Sequence, residues 1–152
     1  MTPEQRLAEL GLELPAAPAA LASYVPYVVA GELVFISGQL PLRDGKLVAA
    51  GKVGREVTLA EAVEAARVTS LNLLAQLSVA AGGLSNVRRI VRLGAFVNSG
   101  EGFTDQAKVA NGASELMVEV FGDAGRHARA AVGVSELPLD AAVEIEMIAH
   151  IR

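Results

Sequence analysis

Apolar positions recur at two different spacings along this chain, and the switches between them outline its elements. After Thr58, residues Leu59, Val63, Ala66, Leu73, Leu74 and Leu77 follow helical spacing. Thr58 stands three residues before Glu61, a capping box, and Gly82-Gly83 stops this helix. A second helix is predicted from about Thr104 to Phe121. Val109, Ala113, Leu116, Met117 and Val120 form its apolar stripe, and Gly122 ends it. Gly112 inside that helix costs roughly 1 kcal/mol relative to alanine, so close packing or a nearby site is expected there. At the amino terminus, Thr2, Pro3 and Gln5 predict a short capped helix with Leu7 and Leu10 on one face and Gly11 at its end. Pro15 to Ala22 is rich in alanine and proline and reads as extended.

Elsewhere the pattern is that of strands. Tyr24 to Gln39 reads as two strands joined at Ala30-Gly31-Glu32. The unbroken run Leu33-Val34-Phe35-Ile36 predicts a strand covered on both faces. Arg43-Asp44-Gly45-Lys46 is a turn, and Leu47 to Val53 predicts a short third strand. Arg89–Val97, Ala128–Val134 and Ala142–Ile151 follow. In the last, Val143, Ile145, Met147, Ala149 and Ile151 share one face, and Glu144, Glu146, Ile148 and His150 the other. The order β-β-β-α-β-α-β-β predicts an α+β fold, a mixed sheet with two helices packed on one face. No linker divides the chain, so residues 1–152 read as one domain, with 1–23 as an amino-terminal extension.

Composition sharpens this picture. Of the 152 residues, 52% are apolar, only 20% are charged and 4% are aromatic, so leucine, valine, isoleucine and alanine must make the core. No apolar run approaches a membrane span, which leaves burial in an oligomer as the destination for the surplus. The start has acidic residues and no apolar leader core, so the chain reads as cytoplasmic. Without cysteine there is no disulfide, thiolate metal site or cysteine nucleophile. His127 and His150 stand isolated in sequence, and no HExxH, GxGxxG or phosphate-binding loop occurs, so a metal site and nucleotide-phosphate binding of those kinds have no support. A net charge of −4 argues against nucleic acid as a partner. The one compact basic cluster, Arg88-Arg89 with Arg92, reads as a solvated turn and strand start.

A few residues stand out as chemistry. Arg129 lies in the small-residue strand Ala128-Arg129-Ala130-Ala131-Val132. Alternation puts Arg129, Ala131 and Gly133 on one nearly bare face, which predicts a pocket floor carrying one cation. Its planar fork suits a ligand carboxylate; the plainer alternative is an ion pair with Glu144 or Glu146. Glu144, partly desolvated, could act as a base on water, or could equally be a solvated strand residue. Ser37-Gly38-Gln39 ends a strand where glycine lets backbone approach a ligand, although a simple turn has the same sequence. Tyr24 offers a hydroxyl and Asn111 an amide to a ligand, or a sheet-edge and a surface side chain respectively.

Three segments together resemble one family. Ser37-Gly38-Gln39-Leu40-Pro41, Ala128-Arg129-Ala130-Ala131-Val132, and Leu137-Pro138 followed by Ala142-Val143-Glu144-Ile145-Glu146 resemble the RidA/YjgF family, also known as L-PSP endoribonuclease-like proteins and translation inhibitors. The resemblance runs from about Tyr24 to Ile151. It implies a chorismate-mutase-like fold assembled as a homotrimer with ligand clefts between subunits. It further implies hydrolysis of 2-imino acids or their enamine tautomers to 2-oxo acids and ammonia, without metal or organic cofactor. On that resemblance Arg129 would bind the substrate carboxylate and Glu144 would hold or activate water. Tyr24, Ser37, Gly38 and Asn111 would line the cleft. An alternative within the family is a noncatalytic or differently specific binder of small carboxylates; a less favoured one is endoribonuclease or translation-inhibitor activity. The chain departs from the family pattern at Ala22-Ser23 before Tyr24, where Gly-Pro is frequent, and at Ala131, where cysteine is frequent. Asn111 matches only with a one-residue change in length before Arg129. These departures imply an altered cleft, and the amino-terminal extension with the segments Asn111-Gly112-Ala113-Ser114-Glu115 and Gly125-Arg126-His127-Ala128-Arg129 resembles a divergent branch.

Overall fold

A computed structural model describes residues 1–152. A helix, α1 (Pro3–Glu9), precedes the strands β1 (Tyr27–Ala30) and β2 (Leu33–Gln39). A two-residue hairpin follows, β3 (Leu42–Arg43) and β4 (Lys46–Leu47). Then come α2 (Leu59–Ala81), β5 (Val87–Asn98), α3 (Gln106–Phe121), β6 (Ala128–Val134) and β7 (Val143–Ile151). The main sheet has the order β1-β2-β7-β5-β6, antiparallel except for the β5–β6 pair. It is a mixed sheet in an α+β fold, as the pattern predicts. No helix is long and apolar enough to cross a membrane.

The helix boundaries follow from local chemistry. The Thr58 hydroxyl accepts from the Glu61 N–H at 3.1 Å, while the Glu61 carboxylate accepts from the Thr58 N–H at 3.1 Å. Gly82 closes α2 in the left-handed region at φ 72°. Thr2 and Gln5 make the same reciprocal cap on α1. Helices α2 and α3 cover one face of the sheet, the face that carries Val143, Ile145, Met147, Ala149 and Ile151, all buried. Gly112 has a packing reason: a Cβ there would stand 2.2 Å from the Val63 carbonyl oxygen, so only glycine lets α3 approach α2 this closely.

Two expectations fail. Leu47 to Val53 is not a strand; the chain leaves β4 at once and is tied by single bridges, Ala50 to Ala141 and Val53 to Ser99. The run Leu33–Ile36 is covered on one face only. Val34 and Ile36 are buried under the helices, whereas Leu33 and Phe35 are 37% and 42% exposed on the opposite, open face. An apolar run reports hydrophobicity on both faces, not what covers them.

Buried polar side chains on α2 fix the segments that lead to the site. Asn72 Nδ2 donates to the carbonyls of Leu40 and Leu42, both at 3.0 Å. Gln76 Nε2 donates to the Pro18 carbonyl at 2.6 Å. The extended amino-terminal strap and the loop after β2 are therefore held to one helix by satisfied hydrogen bonds in its buried stripe.

Candidate functional site

The residues singled out from sequence fall into two groups. The first lies where β2 meets β7. The β2–β7 register shifts between Ile36 and Gln39, and this irregularity brings Gly38 against Glu144. A Cβ on Gly38 would stand 2.8 Å from both Cδ and Oε1 of Glu144, so glycine is what leaves the carboxyl its place. Glu144 is half-buried, and burial first, then the charge of Glu146, raises its pKa above the ordinary carboxylate range. It faces a cavity of about 320 Å³ closed by the strap from Pro18 to Ala22, by Tyr24, and by Pro138 and Leu139. The Tyr24 hydroxyl accepts from the Leu21 N–H at 3.4 Å. Leu139 and Asp140 both adopt φ 59°, unusual for residues with a side chain. Asn98 steadies that loop by donating to Asp140 Oδ1 and to the Ala141 carbonyl, both at 3.1 Å.

Ser37 is beside this cavity but does not line it. Its hydroxyl donates to the Val25 carbonyl at 2.8 Å and so ties β2 to the segment that carries Tyr24.

The second group lies on α3 and β6. Arg129 pairs in register with Leu93, on the helix-covered side of the sheet. Gln106 and Ser99 lie where a Gly133 side chain would go, while Arg129 itself stays exposed and borders a small concavity with Ser114, Arg126 and His127. The Arg129 guanidinium turns onto α3. Its Nη1 donates to Asn111 Oδ1 at 2.8 Å and to Ser114 Oγ at 3.1 Å, and its Nη2 to the Ala107 carbonyl at 3.4 Å. Ala107, Asn111 and Ser114 sit at helical spacing along one stripe.

The structural ion pair considered for Arg129 does not form. Glu146 pairs instead with Arg92 at 3.3 Å, and Glu144 pairs with no cation. Arg92 is thus engaged, and Arg89 donates to the Arg126 carbonyl at 2.8 Å, so the small basic cluster is largely spent within the chain. Glu144 pairs in register with Phe96 on the open face, while Arg129 is on the helix side. Within one chain the two groups lie on opposite faces of the sheet and form no common cleft.

Two residues to which the sequence reading gave no site role, Ser114 and the apparently isolated His127, belong to the second group. Ser114 Oγ is 2.8 Å from His127 Nε2, and His127 Nδ1 is 2.6 Å from the Gly125 carbonyl. Burial first, and the nearby Arg129 charge, lower the His127 pKa, while the Gly125 bond opposes them. The available signal was Ser114 three positions after Asn111, and His127 two positions before Arg129. No three His, Asp or Glu side chains converge at metal-binding distances.

The sheet order and the helices on one face define a small α+β protein of chorismate-mutase-like build. The family described as "YjgF/chorismate_mutase-like, putative endoribonuclease" matches residues 4–151, and this chain belongs to it. Protein TCP17 of Trypanosoma cruzi is 46% identical over 147 residues, covering 96% of this chain and 92% of that protein. The structure of Atu1372 from Agrobacterium tumefaciens is 48% identical with a TM-score of 0.92, covering 99% of this chain and 92% of that one. The structure of E. coli TdcF with bound serine is 30% identical with a TM-score of 0.67, covering 90% and 93% respectively.

Proposed function

We propose that this protein hydrolyses 2-imino acids and their enamine tautomers to 2-oxo acids and ammonia, in clefts between the subunits of a homotrimer. The observation that carries the reading is Arg129. It is a guanidinium with no carboxylate partner, held by three hydrogen bonds on α3. A guanidinium has five N–H donors. Asn111 and Ser114 take both Nη1 protons and Ala107 takes one on Nη2. The Nε–H and the second Nη2–H are left for the two oxygens of a carboxylate. Glu144 supports the complementary role, since a half-buried carboxyl whose pKa is raised by burial and by the charge of Glu146 is a stronger base than an ordinary carboxylate. The serine bound to E. coli TdcF is a small amino carboxylate, consistent with a ligand of this class.

The placement of the two groups supports an assembly. Arg129 and Glu144 cannot meet in one chain, so a cleft that uses both needs a neighbouring subunit. The open face carries the exposed apolar residues Val28, Leu33, Phe35 and Val132, which favours its burial against other copies. That burial accounts for the apolar surplus of the composition.

In the reaction, Arg129 holds the carboxylate and neutralises its charge. Glu144 takes a proton from water as the oxygen adds to the imine carbon. Glu144 then returns its proton to the nitrogen of the resulting carbinolamine, the hydroxyl gives up its proton to solvent as the C=O bond forms, the C–N bond breaks, and the nitrogen leaves as ammonia. Tyr24 and the backbone at Gly38 position the imino group. An amino-acid oxidase generating imines in the presence of the protein tests this. Ammonia release faster than the spontaneous rate is expected. Carboxylate binding with no acceleration would leave a binding protein and contradict the proposal.

A further inference from the structure

The hydrogen bonds around His127 have a fixed polarity. The Gly125 carbonyl only accepts, so Nδ1 must carry the proton that spans the 2.6 Å gap. In the neutral ring Nε2 is then bare and accepts from the Ser114 hydroxyl at 2.8 Å. With its proton committed, Ser114 Oγ presents lone pairs to Arg129 Nη1 at 3.1 Å. The chain of donors runs from Arg129 to Ser114 to His127 to Gly125. Its far end is rigid, because Gly125 is buried and a Cβ there would stand 2.1 Å from the Met117 carbonyl oxygen.

We propose that Ser114 and His127 are positioning residues that fix the orientation of Arg129, so that its two uncommitted donors meet a planar carboxylate. This rests on Arg129 as the carboxylate anchor. Without Ser114, Nη1 would be held by one proton on Asn111, with only the longer 3.4 Å bond from Nη2 to the Ala107 carbonyl to restrain the rest of the guanidinium. The second tether, anchored through an imidazole to the backbone, removes the remaining freedom before the ligand arrives, which raises affinity by cutting the ordering cost. In this arrangement His127 acts through Ser114.

The test is binding of 2-oxobutanoate, and of its neutral carboxamide, to the assembled protein by titration calorimetry. Ser114→Ala and His127→Phe are expected to weaken the carboxylate about five- to tenfold, the worth of one hydrogen bond, and the carboxamide less than twofold. Ser114→Thr keeps the hydroxyl and should restore carboxylate affinity; His127→Gln keeps an acceptor and should restore most of it. Arg129→Lys keeps the charge but not the fork, and should lose more than either. Carboxylate binding unchanged in Ser114→Ala and His127→Phe but lost in Arg129→Lys overturns the positioning role and leaves the anchor standing. Binding unchanged in Arg129→Lys overturns the anchor, and the positioning role with it. Ring ¹⁵N shifts of wild-type His127 give a check that needs no variant. A protonated Nδ1 and bare Nε2 are expected, and the reverse tautomer overturns the proposal.

Discussion

The two half-sites prepare their charged groups by opposite means. Arg129 is prepared by contact: a helix stripe of Ala107, Asn111 and Ser114 offers acceptors to most of one guanidinium. Glu144 is prepared by want of contact: it rests against a glycine, in a partly desolvated cavity, beside a second carboxylate and with no cation. On the proposed function, the first arrangement holds a charge in place and the second makes a charge reactive. A binding group gains from a fixed geometry, whereas a base gains from a pKa brought toward the working pH.

The largest effect separating the halves is expected at Arg129. Arg129→Ala should lower kcat/KM for imine hydrolysis about a thousandfold through lost positioning, with the oligomer intact by light scattering. Glu144→Gln should lower kcat about a hundredfold or more while carboxylate binding stays within a few-fold. The same variant should melt no lower than wild type, because it removes a charge that burial disfavours. Its pH profile sharpens the point. Wild-type activity falls as Glu144 takes up a proton, at a pH above the ordinary carboxylate range, and Glu144→Gln lacks that limb. Next comes Gly38→Ala, which puts a methyl where the Glu144 carboxyl sits. About a tenfold loss of kcat with little change in KM is expected, because a misplaced base weakens chemistry more than binding.

The smallest effect is on stability, and it comes from the contact-held half. His127 has a lowered pKa, so between that value and the unfolded pKa of about 6.5 the unfolded chain binds more protons than the folded one. Stability is therefore full above about pH 6.5 and declines as pH falls below it. His127→Gln should remove that slope in thermal melts at pH 5 to 7. Glu144 contributes with the opposite sign. Its raised folded pKa makes the folded state the better proton binder, so its contribution grows as pH falls through that value toward the ordinary carboxylate range. Melts of Glu144→Gln separate the two.

The fold was legible where its causes are local. Thr58 with Glu61, and Thr2 with Gln5, announce their helices because the cap is written within four residues. The alternation in β7 announces its two faces for the same reason. Legibility failed where the cause is distant. Residues 48–53 are held by partners at Ala141 and Ser99 that no local pattern reveals. The open face beneath Leu33 and Phe35 is apolar without being covered in one chain. At the site, Arg129 and Glu144 were both singled out, but parity along each strand does not say which face of the sheet each strand turns to the helices. The Ser114–His127 contact joins residues 13 apart on different elements. Its helix partner Asn111 was noticed, and the serine three places on, sharing that stripe, was the readable clue.

The central claim is that one working cleft takes Arg129 from one subunit and Glu144 from another, and subunit mixing tests it most directly. Arg129→Ala and Glu144→Gln proteins, each inactive alone, are unfolded together in equal amounts and refolded. If each cleft draws one half-site from each of two neighbours in a closed trimer, random mixing gives about one quarter of all clefts both groups intact, and about one quarter of wild-type ammonia release returns. Mixed trimers, verified by mass, that stay as inactive as the two parents would contradict the shared cleft.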